Sequence, residues 1–190
     1  MAHVYFPTGC LNSLMITTDK NSSEVGLVRN EGMAGITLIL NNDLAPLTLI
    51  VQGKGSAVRI ETTIFFRILE QSEKFQNVMK RYLYVSIRQL AQTAACTRFH
   101  LLEGRLARWL LMTQDRTHSD HFHLTHVFLA NMLGVRRMGI TKAANLLRQR
   151  KLIRYQRGNI IILDSAALEN VSCSCYRADK NIYDQIFLKQ

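Results

Sequence analysis

Between His121 and Leu163 the chain carries no acidic residue at all. Other features are missing too. No apolar run approaches the roughly 18 residues that a membrane-spanning helix needs, and the N-terminus lacks a basic start followed by an apolar segment. Neither a membrane span nor a secretory signal is expected. Four cysteines, at Cys10, Cys96, Cys173 and Cys175, are too few and too scattered for a disulfide framework, which makes a reducing cytoplasm the expected setting. The tripeptides Asn21-Ser22-Ser23 and Asn170-Val171-Ser172 match a glycosylation pattern that means nothing without secretion. No nucleophile stands at a recognisable spacing from a base, and Gly53-Lys54-Gly55-Ser56 is too short for a phosphate loop, so no enzyme is expected.

What the chain does have is positive charge in one place. Its 190 residues are 47% apolar and 20% charged, an ordinary folding composition, with a formal net charge of +10. Residues 1–80 balance seven basic against seven acidic side chains, and 81–120 hold six against three. Residues 121–163 hold eight against none, and 164–190 hold three against four. Eight like charges so close together repel one another unless a polyanion neutralises them. Double-stranded nucleic acid is the expected partner, with a winged-helix protein-interaction module that binds no DNA as the alternative.

The first sixty residues read as short strands at 3–7, 13–17, 24–28, 46–52 and 56–61, rich in β-branched and aromatic residues and separated by Gly, Asn, Asp and Ser. A spacing of about ten residues points to a small antiparallel sandwich or barrel. From Thr63 the period becomes helical. Met79, Leu83, Ile87, Leu90 and Ala94 recur at steps of three and four on one face, while Phe75, Val78, Tyr82 and Val85 form a second stripe. A helix apolar on two faces needs two partners: the strands for one, and either a second copy of the chain or more of the same domain for the other. A third helix is expected at about Glu103–Met112, followed by a polar linker, TQDRTHSDHFH, over 113–123.

The segment LTHVFLANMLG (124–134) has Thr125 placed to cap a helix that aligns Phe128, Leu129, Met132 and Leu133, and Gly134 placed to turn the chain. RRMGITKAANLLRQRKL (136–152) then restarts a helix with Ile140, Ala143, Ala144 and Leu147 inward and Arg136, Arg137, Thr141 and Lys142 outward. IRYQRGNIIIL (153–163) reads as two strands about a turn at Arg157-Gly158-Asn159, a wing. Helices of this kind enter the major groove by their exposed N-terminal part. Arg137 and Lys142 are about 140° apart around the axis and can share one groove. Arg136, Thr125, Thr141, Arg154 and Arg157 are placed for phosphates.

Together LARWLLMTQDR and LANMLGVRRMGITKAANLLRQRKLIRYQRGNIIILD resemble the cyclic-AMP-receptor/fumarate-nitrate-reductase (CRP/FNR) superfamily of bacterial transcription regulators, over about residues 3–176 and most specifically over 101–163. The resemblance implies an α+β chain: a partial antiparallel β-roll of the cyclic-nucleotide-binding kind (1–72), a long dimerisation helix (73–98), a winged helix-turn-helix (99–165) and a C-terminal tail (166–190). It implies a homodimer reading a near-palindromic site, with RNA polymerase as a further partner. The family's base contacts fall on Arg137, Met138 and Lys142. Methionine stands at position 138 where the family carries a glutamate that accepts from cytosine, so the family's half-site does not transfer. The family's roll also has strands ahead of the one that HVYFP resembles.

Nothing in EGMAGITLILNNDLAPLTLIV supplies the arginine with which the family holds a cyclic phosphate, and there is no arginine between Arg29 and Arg59. Cyclic AMP is not expected to bind. No N-terminal cysteine cluster for an iron–sulfur centre is present. His118, His121, His123 and His126 crowd together upstream of Cys173 and Cys175, but their spacing matches no familiar zinc finger. They read as a polar linker near phosphates, and no metal or cofactor is expected.

Overall fold

The computed structural model describes residues 1–19, 21–28, 32–52 and 55–188. Arg29, Asn30 and Glu31, and the Gly53-Lys54 half of the expected turn, lie outside the described residues. All five expected strands form. β1 (His3–Pro7) pairs antiparallel with β5 (Ala57–Glu61), and β2 (Asn12–Thr18) lies between β3 (Asn21–Val28) and β4 (Thr48–Val51). The apolar run Ile36–Leu40 does not extend into a strand. It coils into a 3-10 turn between left-handed residues Gly35 and Asn41 and buries Leu38 completely. Val4, Met33, Leu38, Phe65, Met79 and Tyr82 make the core of this roll.

Two helices follow, one inside the segment assigned to the roll and one over the expected long helix. α1 (Thr62–Gln71) stops at Ser72, whose extended backbone caps α2 (Glu73–Phe99): the Ser72 hydroxyl oxygen accepts the Phe75 amide at 3.2 Å. Of the second stripe Tyr82 and Val85 pack inward and Phe75 is half-buried, whereas Val78 is exposed. Met79 belongs with them and not with the outer stripe, because it sits in the roll core. Outside remain Leu83, half-buried, and Ile87, Leu90 and Ala94, exposed.

The expected linker over 113–123 does not exist. α3 runs from Leu102 to Thr117, because Thr113 and Thr117 satisfy their hydroxyls on carbonyls four residues back and so do not break the helix. The remainder is a short strand, β6 (His121–His123). It is the third member of the wing sheet with β7 (Ile153–Gln156) and β8 (Asn159–Ile162), in the order β6-β8-β7. The tail is also structured. α6 (Ser165–Val171) and α7 (Cys175–Tyr183) pack on α3, burying Leu168 and Tyr176. Their sequence is polar enough to pass for a tail, since each helix commits only a few side chains to the interior.

A second core fills the C-terminal module with Leu106, Leu110, Leu129, Ile140, Leu147, Ile153 and Ile160, none more than 1% exposed. At about 1.5–3 kcal/mol for each fully buried aliphatic side chain, this cluster dominates the module's stability. It also contains Leu11, Met15 and Leu27 from the roll. The sheet β3-β2-β4 therefore shares a core with the basic module. Among the described residues no helix is long and apolar enough to cross a membrane.

Candidate nucleic-acid interface

α4 (His126–Leu133) begins as expected: Thr125 caps it, its Oγ1 accepting the Phe128 amide at 3.1 Å. It ends at Gly134, in the left-handed region at φ 63, where a Cβ would also stand 2.9 Å from Ser23 Oγ on β3. Only glycine satisfies both demands. α5 (Arg137–Gln149) starts from the extended Arg136. Ile140, Ala143, Ala144 and Leu147 are buried, and Arg136, Arg137, Met138 and Lys142 stand in solvent. Met138, 66% exposed, is an apolar side chain presented to solvent at the start of the helix.

Thr141 is half-buried and its hydroxyl is already engaged. It donates to the Arg137 carbonyl at 3.2 Å and lies 2.9 Å from His126 Nδ1. With its one proton given to that carbonyl, the hydroxyl accepts from Nδ1–H, which fixes the histidine tautomer. The His126 ring lies flat on Tyr155 of β7, with centroids 4.2 Å apart and planes within 13°. One residue thus ties the start of α4, the exposed turn of α5 and the wing. Burial first, and then the charge of Arg137, hold the His126 pKa below its ordinary value. Its Nε2 is buried without a hydrogen-bond partner.

The wing turn is tighter than the sequence reading placed it. Asn159 already belongs to β8, and the loop is Arg157-Gly158, both at positive φ (49 and 83), the mirror-image turn that suits a twisted hairpin. Arg154 and Arg157 are exposed beside it. Of the eight basic residues, Arg150 pairs with Glu103 at 3.2 Å. Among the described residues no ion pair joins Arg136, Arg137, Lys142, Arg154 or Arg157 to an acid. The exposed turn of α5 and the wing therefore carry uncompensated charge on one braced surface.

Among the described residues, the group of side chains close enough to share a metal ion contains none of the four clustered histidines. His126 serves the brace, His123 Nδ1 lies 3.0 Å from Asn159 Oδ1, and neither meets Cys173 or Cys175. Sequence reasoning missed both the His126–Tyr155 stack and the contact that seats the roll on the module. In that contact Glu24 Oε1 accepts from Trp109 Nε1 at 2.9 Å while Oε2 is held by Ser13 and Gln52. The residue is half-buried but its carboxyl is enclosed, and desolvation pushes its pKa up to about 7.

Between the roll strands and α2 lies a cavity of about 410 Å³, lined mostly by apolar residues, among them Leu27, Met33, Leu47 and Leu49. The polar side chains on its described wall include Gln89, Ser86 and Thr37, with no arginine, lysine or carboxylate.

Residues 104–171 match the family model of the Crp-like helix-turn-helix domain. Two CRP-family transcriptional regulators of Thermus thermophilus share the fold. One is 18% identical over 90% of this chain and 88% of its own, with a TM-score of 0.74. The other is 18% identical over 90% and 87%, with a TM-score of 0.75. FixK2 from Bradyrhizobium japonicum is 13% identical over 91% and 88%, with a TM-score of 0.76. No curated protein matches the sequence. The class is a roll joined through a long helix to a winged helix-turn-helix. More particularly, residues 104–171 are similar to the Crp-like helix-turn-helix domain, and the fold as a whole is the one seen in solved CRP/FNR-family regulators.

Proposed function

We propose that the protein is a sequence-specific DNA-binding transcription regulator that reads a near-palindromic site as a homodimer. The observation that carries this reading is the braced surface itself. His126 locks α4, α5 and the wing together, and that surface presents arginines and a lysine that no acid pairs with among the described residues. Arg137 and Lys142 take base edges, Met138 offers an apolar contact for a thymine methyl, and Arg136, Arg154 and Arg157 take phosphates. Thr125 and Thr141 contribute by capping and bracing, so that any phosphate contact comes second to those bonds.

Leu83, Ile87, Leu90 and Ala94 supply the dimer seam, an apolar stripe of α2 whose last three residues are exposed, Leu90 also bordering the cavity beside the roll. Two symmetric reading helices then address half-sites about one helical turn apart. Cyclic AMP is no effector of this chain. A described cavity wall without an arginine or lysine lacks the fixed counter-charge that a cyclic phosphate needs, and calorimetry should detect no binding at micromolar nucleotide. The test of the whole reading is duplex-DNA affinity against salt. Binding should fall by about 10³-fold or more between roughly 50 and 200 mM if six or more phosphates are contacted. Indifference to DNA and salt would favour a winged helix that binds protein instead.

A further inference from the structure

Cys96 and His100 stand one turn apart at the C-terminal end of α2, His100 being its cap residue. Cys173 and Cys175 flank Ser174 in the bend between α6 and α7. Folding brings the four together. One ligand atom from each lies within 4.8 Å of every other, with Cys96 Sγ 3.5 Å from Cys173 Sγ and Cys175 Sγ 3.3 Å from His100 Nδ1. All three thiols are buried.

These separations select among the chemistries that cysteine clusters perform. A disulfide needs its sulfurs about 2.05 Å apart, and four groups converging on one point exceed what one bond requires. An iron–sulfur cluster distributes its thiolates over more than one iron, which spreads them wider than this set. A single tetrahedral zinc ion, with Zn–S near 2.3 Å and Zn–N near 2.0–2.1 Å, spaces its sulfurs about 3.8 Å apart and sulfur from nitrogen about 3.6 Å. The Cys96–Cys173 and Cys175–His100 pairs lie within a few tenths of an ångström of those edges, and the remaining pairs, all within 4.8 Å, need only a small closure around an ion. Three soft thiolates and an imidazole are the donors zinc prefers, and four protein ligands leave no open position for substrate.

The surroundings are built around the cluster as well. Gln92 Nε2 donates to Cys175 Sγ at 2.9 Å, and the Cys173 amide donates to the Gly104 carbonyl at 3.3 Å. A Cβ at Gly104 would stand 3.2 Å from the Cys173 nitrogen, so the glycine lets the Cys-Ser-Cys bend lie against α3. Zinc with three thiolates carries one net negative charge, and Arg105 and Arg108 hold their positive charges near Cys96 and Cys173.

We propose that Cys96, His100, Cys173 and Cys175 form a structural zinc site that staples the end of α2 to the α6–α7 bend. The ion fixes the joint at which the long helix hands over to the C-terminal module, and it does so whether or not that module binds DNA.

The test uses the full chain, purified without chelator. Elemental analysis should find about one zinc per chain, released when the thiols are modified. Exchange for cobalt should give tetrahedral ligand-field bands and a thiolate-to-cobalt charge-transfer band. Cys173→Ser and Cys175→Ser should lose the metal, and Cys10→Ser should keep it. His100→Cys should retain it with a stronger charge-transfer band, while His100→Ala should weaken affinity at least tenfold. The cobalt spectrum of the unmodified protein needs no variant, so a misfolded mutant cannot obscure the answer. If that protein binds neither zinc nor cobalt while its thiols titrate freely, the site does not exist. A mass two hydrogens low, with linked Cys96 and Cys173 peptides, would instead make the cluster a redox pair.

Discussion

Trp109 Nε1 on α3 donates to Glu24 Oε1 on β3 at 2.9 Å, and this bond seats the roll on the C-terminal module. Enclosure raises the Glu24 pKa from 4.5 to about 7. A raised folded-state pKa means that the favourable protonated form is fully present below about 4.5 and is lost as the pH climbs through 7. The seat should therefore loosen with rising pH. Between pH 6 and 8 the chain should lose about 1 kcal/mol that Glu24→Gln does not lose. Denaturant titrations of both proteins at the two pH values provide the check, and equal pH slopes would show that Glu24 does not titrate there.

On the proposed function, readout divides between α5 and the wing. Arg137→Ala should cost about 1–3 kcal/mol on the cognate site and relax preference at one base position per half-site. Arg157→Ala should weaken all sequences alike and lower the salt slope by roughly one. Binding curves on matched and mutated duplexes at two salt concentrations separate them. The opposite pattern would mean that the reading helix is not α5.

The uncovered stripe of α2 makes assembly testable by charge. Leu83→Glu with Leu90→Glu should give monomers that keep their fold but bind the operator far more weakly. Sedimentation of the unmodified protein is the control. A monomer at micromolar concentration would rule out this seam.

Buried charge gives a prediction of stability. Arg108 meets Asp179 at 2.5 Å, and both residues are at least nine-tenths buried. Asp179→Ala strands the guanidinium and should destabilise the module by about 3–5 kcal/mol. Arg108→Met combined with Asp179→Leu should recover most of that loss. An Asp179→Ala protein melting with the parent would show that the pair is solvated in solution.

The strands, the turn at Gly134 and the inward faces of α4 and α5 were legible because each rests on local chemistry. Period-two and period-three-to-four patterns mark which side chains go inside, and Thr125 and Gly134 announce the ends of α4. What escaped depends on residues far apart in the chain. Thr113 and Thr117 looked like linker because a threonine's preference for helix is decided by whether its hydroxyl finds a carbonyl four residues back. α7 looked like tail because Asp179 and Tyr176 reach their partners Arg108 and Asp115 only through the fold. Cys173 and Cys175 were visible as a pair, but their companions proved to be Cys96 and His100 on a helix that the periodicity assigned to assembly. The nearby run of histidines drew attention to the wrong imidazoles. Met79 was placed on the outer seam by arithmetic alone. A residue one turn from the roll is captured by the roll whatever stripe it continues.

The pairing of Arg108 with Asp179 also sets a clock. The two residues lie 71 positions apart, and at about 5–20 residues per second the ribosome takes roughly 4–14 s to go from one to the other. Through that interval α3, the reading helix and the wing can all have emerged while the arginine at their base still lacks its counter-ion. α7 completes α3, so a nascent chain cannot finish this module before Asp179 has emerged.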